Sequence, residues 1–264
     1  MPAMIDPDPE LAPVAATSAD ALAPAHAPAH APAHAPAHAP AAPPSARTRI
    51  RRIAENARYD RETVHAIIDA AMVCHVAFTD RDGIHCIPTA CWRVGEHLHV
   101  HGSNGSRMLK VLDAEGAAVV TITHVDGLVL ARSAFNHTMN YRSVVIYGRF
   151  EPVPADEKAP ILAAFLEHLL PGRQAEVRPG NAKELAATTV LRVPIEEAAA
   201  KLRAGPPDDD AEDMDWPVWA GELPLRLIPQ APARDPACTR AAPAYVQEWE
   251  RRSFGPDSGS PGAG

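Results

Sequence analysis

The sequence predicts a mainly β domain, a closed barrel or sandwich of short strands with a few packed helices. Three observations carry this. Between Met72 and Phe150, short runs rich in Val, Ile, Thr and aromatic residues alternate with turn signals such as DRDG and GE. Strands at that spacing build barrels and sandwiches. Residues 1–46 are rich in Ala, Pro and His with almost no Leu, Ile, Val or aromatic residue, too few apolar side chains to offset the entropy of ordering. That leaves residues 47–204 as one core-forming domain, followed by an extended arm and a disordered end over 205–264.

Taken in order, the elements are these. The APAH repeat, with His26, His30, His34 and His38, favours extended polyproline II over helix and reads as a solvated tail. Asp60 is a plausible N-cap for a short helix, because Val64, Ile67, Ile68 and Ala71 follow at helical spacing. Three antiparallel strands are expected in MVCHVAFT, IHCIPTACWRV and HLHVHG. A brief helix over Ser106–Ala114 precedes three further strands in AAVVTIT, GLVLARS and YRSVVIYGRF. A helix from Ala155 to Leu170 and a late strand in LAATTVLRVPI complete the domain. Beyond Ala204 an acidic run between Asp208 and Asp215 reads as a solvated loop. Trp216, Trp219, Leu223, Leu225 and Leu227 are too apolar to leave in water, while Pro217, Pro224 and Pro229 forbid a regular helix. An arm lying across this subunit or a partner is expected.

A net charge of −8 argues against a nucleic-acid partner, which needs a basic surface. The first residues lack a basic-then-apolar leader, and no apolar run approaches the ~18–20 residues needed to cross a bilayer. A soluble cytoplasmic protein is expected. Cys74, Cys86, Cys91 and Cys238 form no CxxC pair and suggest neither a disulfide framework nor a thiolate metal site.

The stretch HLHVHGSNGSRMLK runs from a strand through a small polar loop into a helix. Gly102 and Gly105 permit close backbone approach, Ser103 and Ser106 offer hydroxyls, and the helix start presents free N–H groups. Arg107 and Lys110 add charge on one helical face. This is an anion cradle or an ordinary capped helix. Upstream, Pro88 within IHCIPTACWR cannot donate to a ladder and marks an edge or bulge, where free backbone groups, the Thr89 hydroxyl and Trp92 could meet a flat heteroaromatic ring. His97, His99 and His101 alternate onto one strand face. Their spacing alone assembles no metal site, and none is expected. His101, directly before the loop, could give a proton to a substrate. Arg132, Tyr141 and Arg142 are polar residues within apolar strands, where a buried guanidinium needs a partner such as Asp126 across a dimer interface, or an anion from a ligand.

Together VCHVAF, IPTACWR, HVHGSNGSRML, DGLVLARSAFNHTMNYRSVVIYGRF and WPVWAGELPL resemble the pyridoxamine 5′-phosphate oxidase-like FMN-binding family, in the branch that includes 5-nitroimidazole reductases. The resemblance covers about residues 48–228. It implies a six-stranded Greek-key split β-barrel that works as a homodimer with FMN sites between subunits. By position it gives the flavin phosphate to Ser106 and Arg107, with Ser103 and Lys110 nearby, and the ring to Pro88, Thr89, Ala90 and Cys91; Arg142 is a further cofactor candidate. Met108 stands where the oxidases proper carry a second basic residue, which argues against pyridoxamine phosphate oxidation. The expected activity is therefore FMN-dependent reduction of a small electron-poor acceptor, nitroreductase-like, with His101 as the catalytic candidate. The alternative is a non-catalytic flavin-, deazaflavin- or haem-binding protein, in which the His-rich strand ligates haem iron.

Overall fold

The computed structural model describes residues 41–252. Most of the N-terminal His-Ala-Pro tail and the last residues of the chain lie outside them. Eleven strands form two sheets. In the seven-stranded sheet the order is β1 (Ala57–Arg58), β10 (Ala198–Arg203), β7 (Thr138–Arg149), β6 (Ala117–Leu130), β2 (Val73–Asp80) and β3 (Gly83–Ala90), with β11 (Gly221–Pro224) also on β6. The four-stranded sheet runs β4 (Trp92–Val94), β5 (His97–Ser103), β9 (Thr188–Pro194) and β8 (Glu151–Pro152). All pairings are antiparallel.

This corrects the expected six-stranded split barrel. The larger sheet ends in β1 at one side and β3 at the other and does not close on itself, and with α1 (Arg61–Asp69), α2 (Arg107–Glu115), α3 (Lys158–Leu169), α4 (Ala182–Ala187) and α5 (Ala244–Gln247) the architecture is mixed α and β. Three local causes separate the expected strand set from the observed one. The break expected between AAVVTIT and GLVLARS lies inside one 14-residue strand, β6, whose register shifts between Val125 and Gly127; a bulge absorbs the irregularity without ending the strand. Gly127 is there for contact, since a Cβ would meet the Leu223 carbonyl oxygen at 3.0 Å. IHCIPTACWRV divides at Cys91, and its second half joins the other sheet as β4. EEAAAKLR, with no strand expected, supplies β10 between β1 and β7.

The helices follow their sequence signals more closely. The Asp60 carboxylate accepts the Thr63 N–H at 2.8 Å and caps α1, which buries Val64, Ile67 and Ile68. Ser106 caps α2, which buries Met108, Leu109 and Leu112. The principal core fills the space between the sheets: Cys74, Val76 and Phe78 of β2, Ile122 of β6, Val144 and Ile146 of β7 face Leu98 and Val100 of β5 and Leu191 and Val193 of β9. The opposite face of β5 meets α3 in a second cluster built on Trp92, Val153, Val190, Ile161 and Phe165. The larger sheet's other face leaves Val73, His75, Ile84, Cys86, Pro88 and Val125 exposed.

The arm lies on this subunit. β11 pairs with Gly127–Leu130 of β6, and Asn140 clamps it by donating to Glu222 Oε2 at 2.5 Å while accepting from Arg203. Trp216 and Trp219 stay more than 60% exposed. The acidic run is not merely solvated: the Asp209 carboxylate accepts the Arg132 backbone N–H at 2.7 Å and its guanidinium at 2.9 Å.

Candidate functional site

The loop from β5 to α2 is a compact turn with a charged mouth. Ser106 N–H donates to the Ser103 carbonyl at 2.9 Å and Gly105 N–H to Ser103 Oγ at 3.1 Å. Asn104 ties the loop to the neighbouring strand, donating to the Ala186 carbonyl and accepting from Thr189 Oγ1 at 2.8 Å. Leu109 N–H reaches Ser106 Oγ and Lys110 N–H the Ser106 carbonyl. The N–H groups of Arg107 and Met108 are left without a partner at the positive end of a nine-residue helix. Gly102 keeps the strand end close to the helix, because a Cβ there would meet Leu109 at 3.1 Å. Lys110 is exposed one turn along.

The Arg107 side chain is not free in solvent. Its Nη2 donates to His85 Nδ1 at 3.1 Å, and Nη1 lies 3.6 Å from Asp80 and 3.7 Å from Asp82. His85 Nε2 donates to Asp80 Oδ1 at 2.7 Å. This hydrogen bond, with the Asp82 N–H and Arg107, outweighs burial and holds the Asp80 carboxyl below its usual range. Sequence reading passed over Asp80 and His85. Their signal was the DRDG hairpin: Gly83, at φ 115°, makes a tight turn that sets Phe78 opposite His85 and brings His85 back to Asp80.

Among the described residues β3 is the end strand of its sheet, bonded only to β2. Pro88 therefore sits where a missing N–H costs no ladder bond. Pro88 is exposed, Thr89 and Ala90 half-buried. Cys91 is fully buried beside Cys74 in the core, and its N–H donates to the Met72 carbonyl at 3.3 Å, so it offers no surface to a ligand.

The His-rich strand has a separate environment. Trp92 stacks on His99 with ring centroids 5.6 Å apart, and meets His101 edge-on at 5.4 Å; Phe165 of α3 lies 4.8 Å from both Trp92 and His101. Trp92 Nε1 donates to the Ile161 carbonyl at 3.1 Å and fixes the indole under α3. The Nδ1 atoms of His99 and His101 are buried without a hydrogen-bond partner. Burial first, then His97 and Arg192, push His99 down to about 4; burial alone pushes His101 down. Both imidazoles are therefore neutral near pH 7.

Arg142 is satisfied within the chain. Its Nε and Nη2 donate to the two oxygens of Asp126 at 2.8 and 2.9 Å, a bidentate pair between neighbouring strands, each side chain 17% exposed. The pair forms a common wall of two cavities of about 250 and 210 Å³, bordered by Leu225 on one side and Glu222 on the other.

Two open antiparallel sheets with packed helices define a mixed α and β domain. The chain belongs to the family described as pyridoxamine 5′-phosphate oxidase, which it matches over residues 60–202. It is similar to the flavocytochrome Anf3 from Azotobacter vinelandii: 40% identity, 78% of this chain and 97% of that chain covered, TM-score 0.75. It is also similar to the FAD and haem binding protein from Mycobacterium smegmatis: 36% identity, 74% of this chain and 97% of that chain covered, TM-score 0.71. No curated protein matches. Among the described residues no helix is long and apolar enough to cross a membrane.

Proposed function

We propose that the chain is a redox protein that holds a flavin by its phosphate at the Ser103–Arg107 loop and a haem at the His-rich face of β5. The observation that carries this reading is the likeness, at 40% and 36% identity over 97% of each relative, to a flavocytochrome and to a protein that binds FAD and haem. FMN and FAD both carry phosphate, and the free N–H groups of Arg107 and Met108, the Ser103 and Ser106 hydroxyls and the guanidinium suit such an anion. Lys110, one turn along, adds a second charge. The ring belongs along the β3 edge, against Pro88, Thr89 and Ala90, whose outward groups no other strand uses. Arg142, engaged by Asp126, borders this reading rather than carrying it.

The donor set at β5 fits a haem. An imidazole that ligates iron is neutral, and His99 and His101 are neutral with Nδ1 unpartnered. Ile161, Leu162 and Phe165 supply apolar walls. A bound flavin supplies hydride or electron transfer, and a haem one-electron chemistry. The protein orients both and keeps water from the buried imidazoles. The exposed face of the larger sheet is assigned to a second copy of this chain, since Ile84 is 84% exposed beside Val73 and Val125.

A second reading, reduction of a small electron-poor acceptor such as a nitroaromatic at the flavin, is favoured by His101, whose unpartnered Nδ1 lies two residues before the phosphate loop and could relay a proton. Absorption spectra separate the two. Loading the full-length chain with haem should give a Soret band that His99→Ala or His101→Ala abolishes while bound flavin persists. A chain that takes up flavin, shows no Soret band and reduces nitroaromatics in a His101-dependent manner supports the second reading, and a chain that takes up neither group refutes both.

A further inference from the structure

We propose that Asp80 and His85 are positioning residues that hold the Arg107 guanidinium ready for the flavin phosphate. The inference rests on the phosphate-site reading above and extends it to two residues outside the loop. The three side chains close a ring: Asp80 Oδ1 accepts from His85 Nε2 at 2.7 Å, His85 Nδ1 accepts from Arg107 Nη2 at 3.1 Å, and Asp80 Oδ2 lies 3.6 Å from Arg107 Nη1.

The ring sets which imidazole nitrogen donates and which accepts. A carboxylate only accepts, so Nε2 carries the proton; a guanidinium only donates, so Nδ1 carries the lone pair. His85 thereby relays an acceptor on β2 into an acceptor for Arg107. Asp80 Oδ1 is occupied by His85 and by the Asp82 N–H at 2.8 Å, so the guanidinium is oriented by a hydrogen bond to Nδ1 while Asp80 Oδ2 and Asp82 hold Nη1 only as longer ion pairs. Asp82, at 3.7 Å, is also shared with Arg81. The Arg107 Nε and the remaining N–H groups stay available to an anion. Phe78, 5.3 Å from the imidazole centroid, holds the ring in place. Arg107 is 54% exposed, and a long exposed side chain loses its freedom on binding unless something orders it beforehand.

The test compares FMN with riboflavin, which lacks the phosphate, on the full-length chain freed of flavin. His85→Leu should weaken FMN about three- to tenfold, as expected for losing one hydrogen bond that orders a charged group, and leave riboflavin unchanged. His85→Gln, which keeps one donor and one acceptor, should recover most of the loss. Asp80→Asn, whose amide can donate to the imidazole and reverse its tautomer, should lower the FMN preference in the same direction without removing bulk. The inference is overturned if His85→Leu and Asp80→Asn keep the wild-type preference while Arg107→Ala abolishes it, or if both variants weaken the two flavins equally. If Arg107→Ala also keeps the preference, the phosphate site itself is misplaced and the inference falls with it.

Discussion

His99 is 2% exposed, stacked on Trp92, and has an Nδ1 with no partner. Burial pushes its pKa from 6.5 down to about 4. The sign follows directly. Below 6.5 the unfolded chain takes up a proton at this site that the folded chain refuses until about 4, so acid favours unfolding across that window and stability is full only above it. Integrating between those two values gives a loss of about 2 kcal/mol from pH 7 to pH 5. With a urea m-value of roughly 2 kcal/mol/M, the unfolding midpoint should fall by about 1 M. The assay is urea unfolding of the cofactor-free chain at both pH values, for wild type and for His99→Phe, which keeps the ring packing and has nothing to titrate. The variant should lose the His99 share of the shift and keep the share of His101, which burial also pushes down. An equal shift in both proteins would show that His99 is hydrated or paired in solution, and would refute the description of β5 as a store of neutral imidazoles.

Three further outcomes are expected. Arg107→Ala should weaken FMN about ten- to hundredfold, the range for one charge-assisted contact, with little effect on riboflavin; equal titration curves for wild type and variant would place the phosphate elsewhere. Sedimentation should find the full-length chain as a dimer that Ile84→Asp dissociates, because Ile84 is 84% exposed on the uncovered face; a wild-type monomer would contradict this. Gly148→Ala should cost about 1–3 kcal/mol in chemical denaturation, because the new Cβ would sit 2.4 Å from Val193 Cγ2. Val193→Ala in the same chain should relieve part of that loss, and a fully stable Gly148→Ala would argue against the close approach of β7 and β9.

Local signals in the sequence were legible where one residue dictates one local structure. Asp60 and Ser106 cap α1 and α2 because their side chains can reach a helix N–H three residues on, and no distant partner is needed. Pro88 reads as an edge residue for the same reason, and β3 is an end strand. Features set by tertiary pairing were not legible. Whether AAVVTIT and GLVLARS are two strands or one bulged strand depends on β11 arriving at Gly127 from nearly a hundred residues away. The closure expected for the sheet failed because β4 left for the second sheet at Cys91 and β10 was inserted beside β7. At the candidate site, Ser103, Ser106, Arg107 and Lys110 are near neighbours in sequence and are legible together as one candidate group. Asp80 and His85 could not, since their roles come from the hairpin register and from Arg107 folding back on them. Arg142 could be read as needing either an acid or a ligand anion, and also as a cofactor contact; Asp126 pairs with it within one chain rather than across an interface.

The central claim, that this chain is a redox protein built around a phosphate-anchored flavin with a haem beside it, is tested most directly by its own colour. The full-length chain should be purified, its absorption spectrum recorded before and after incubation with FMN, FAD and haem, and the flavin released by denaturation quantified against protein. The account predicts the bands of an oxidised flavin together with a Soret band, the released flavin approaching one per chain. A colourless chain that takes up neither flavin nor haem would contradict it.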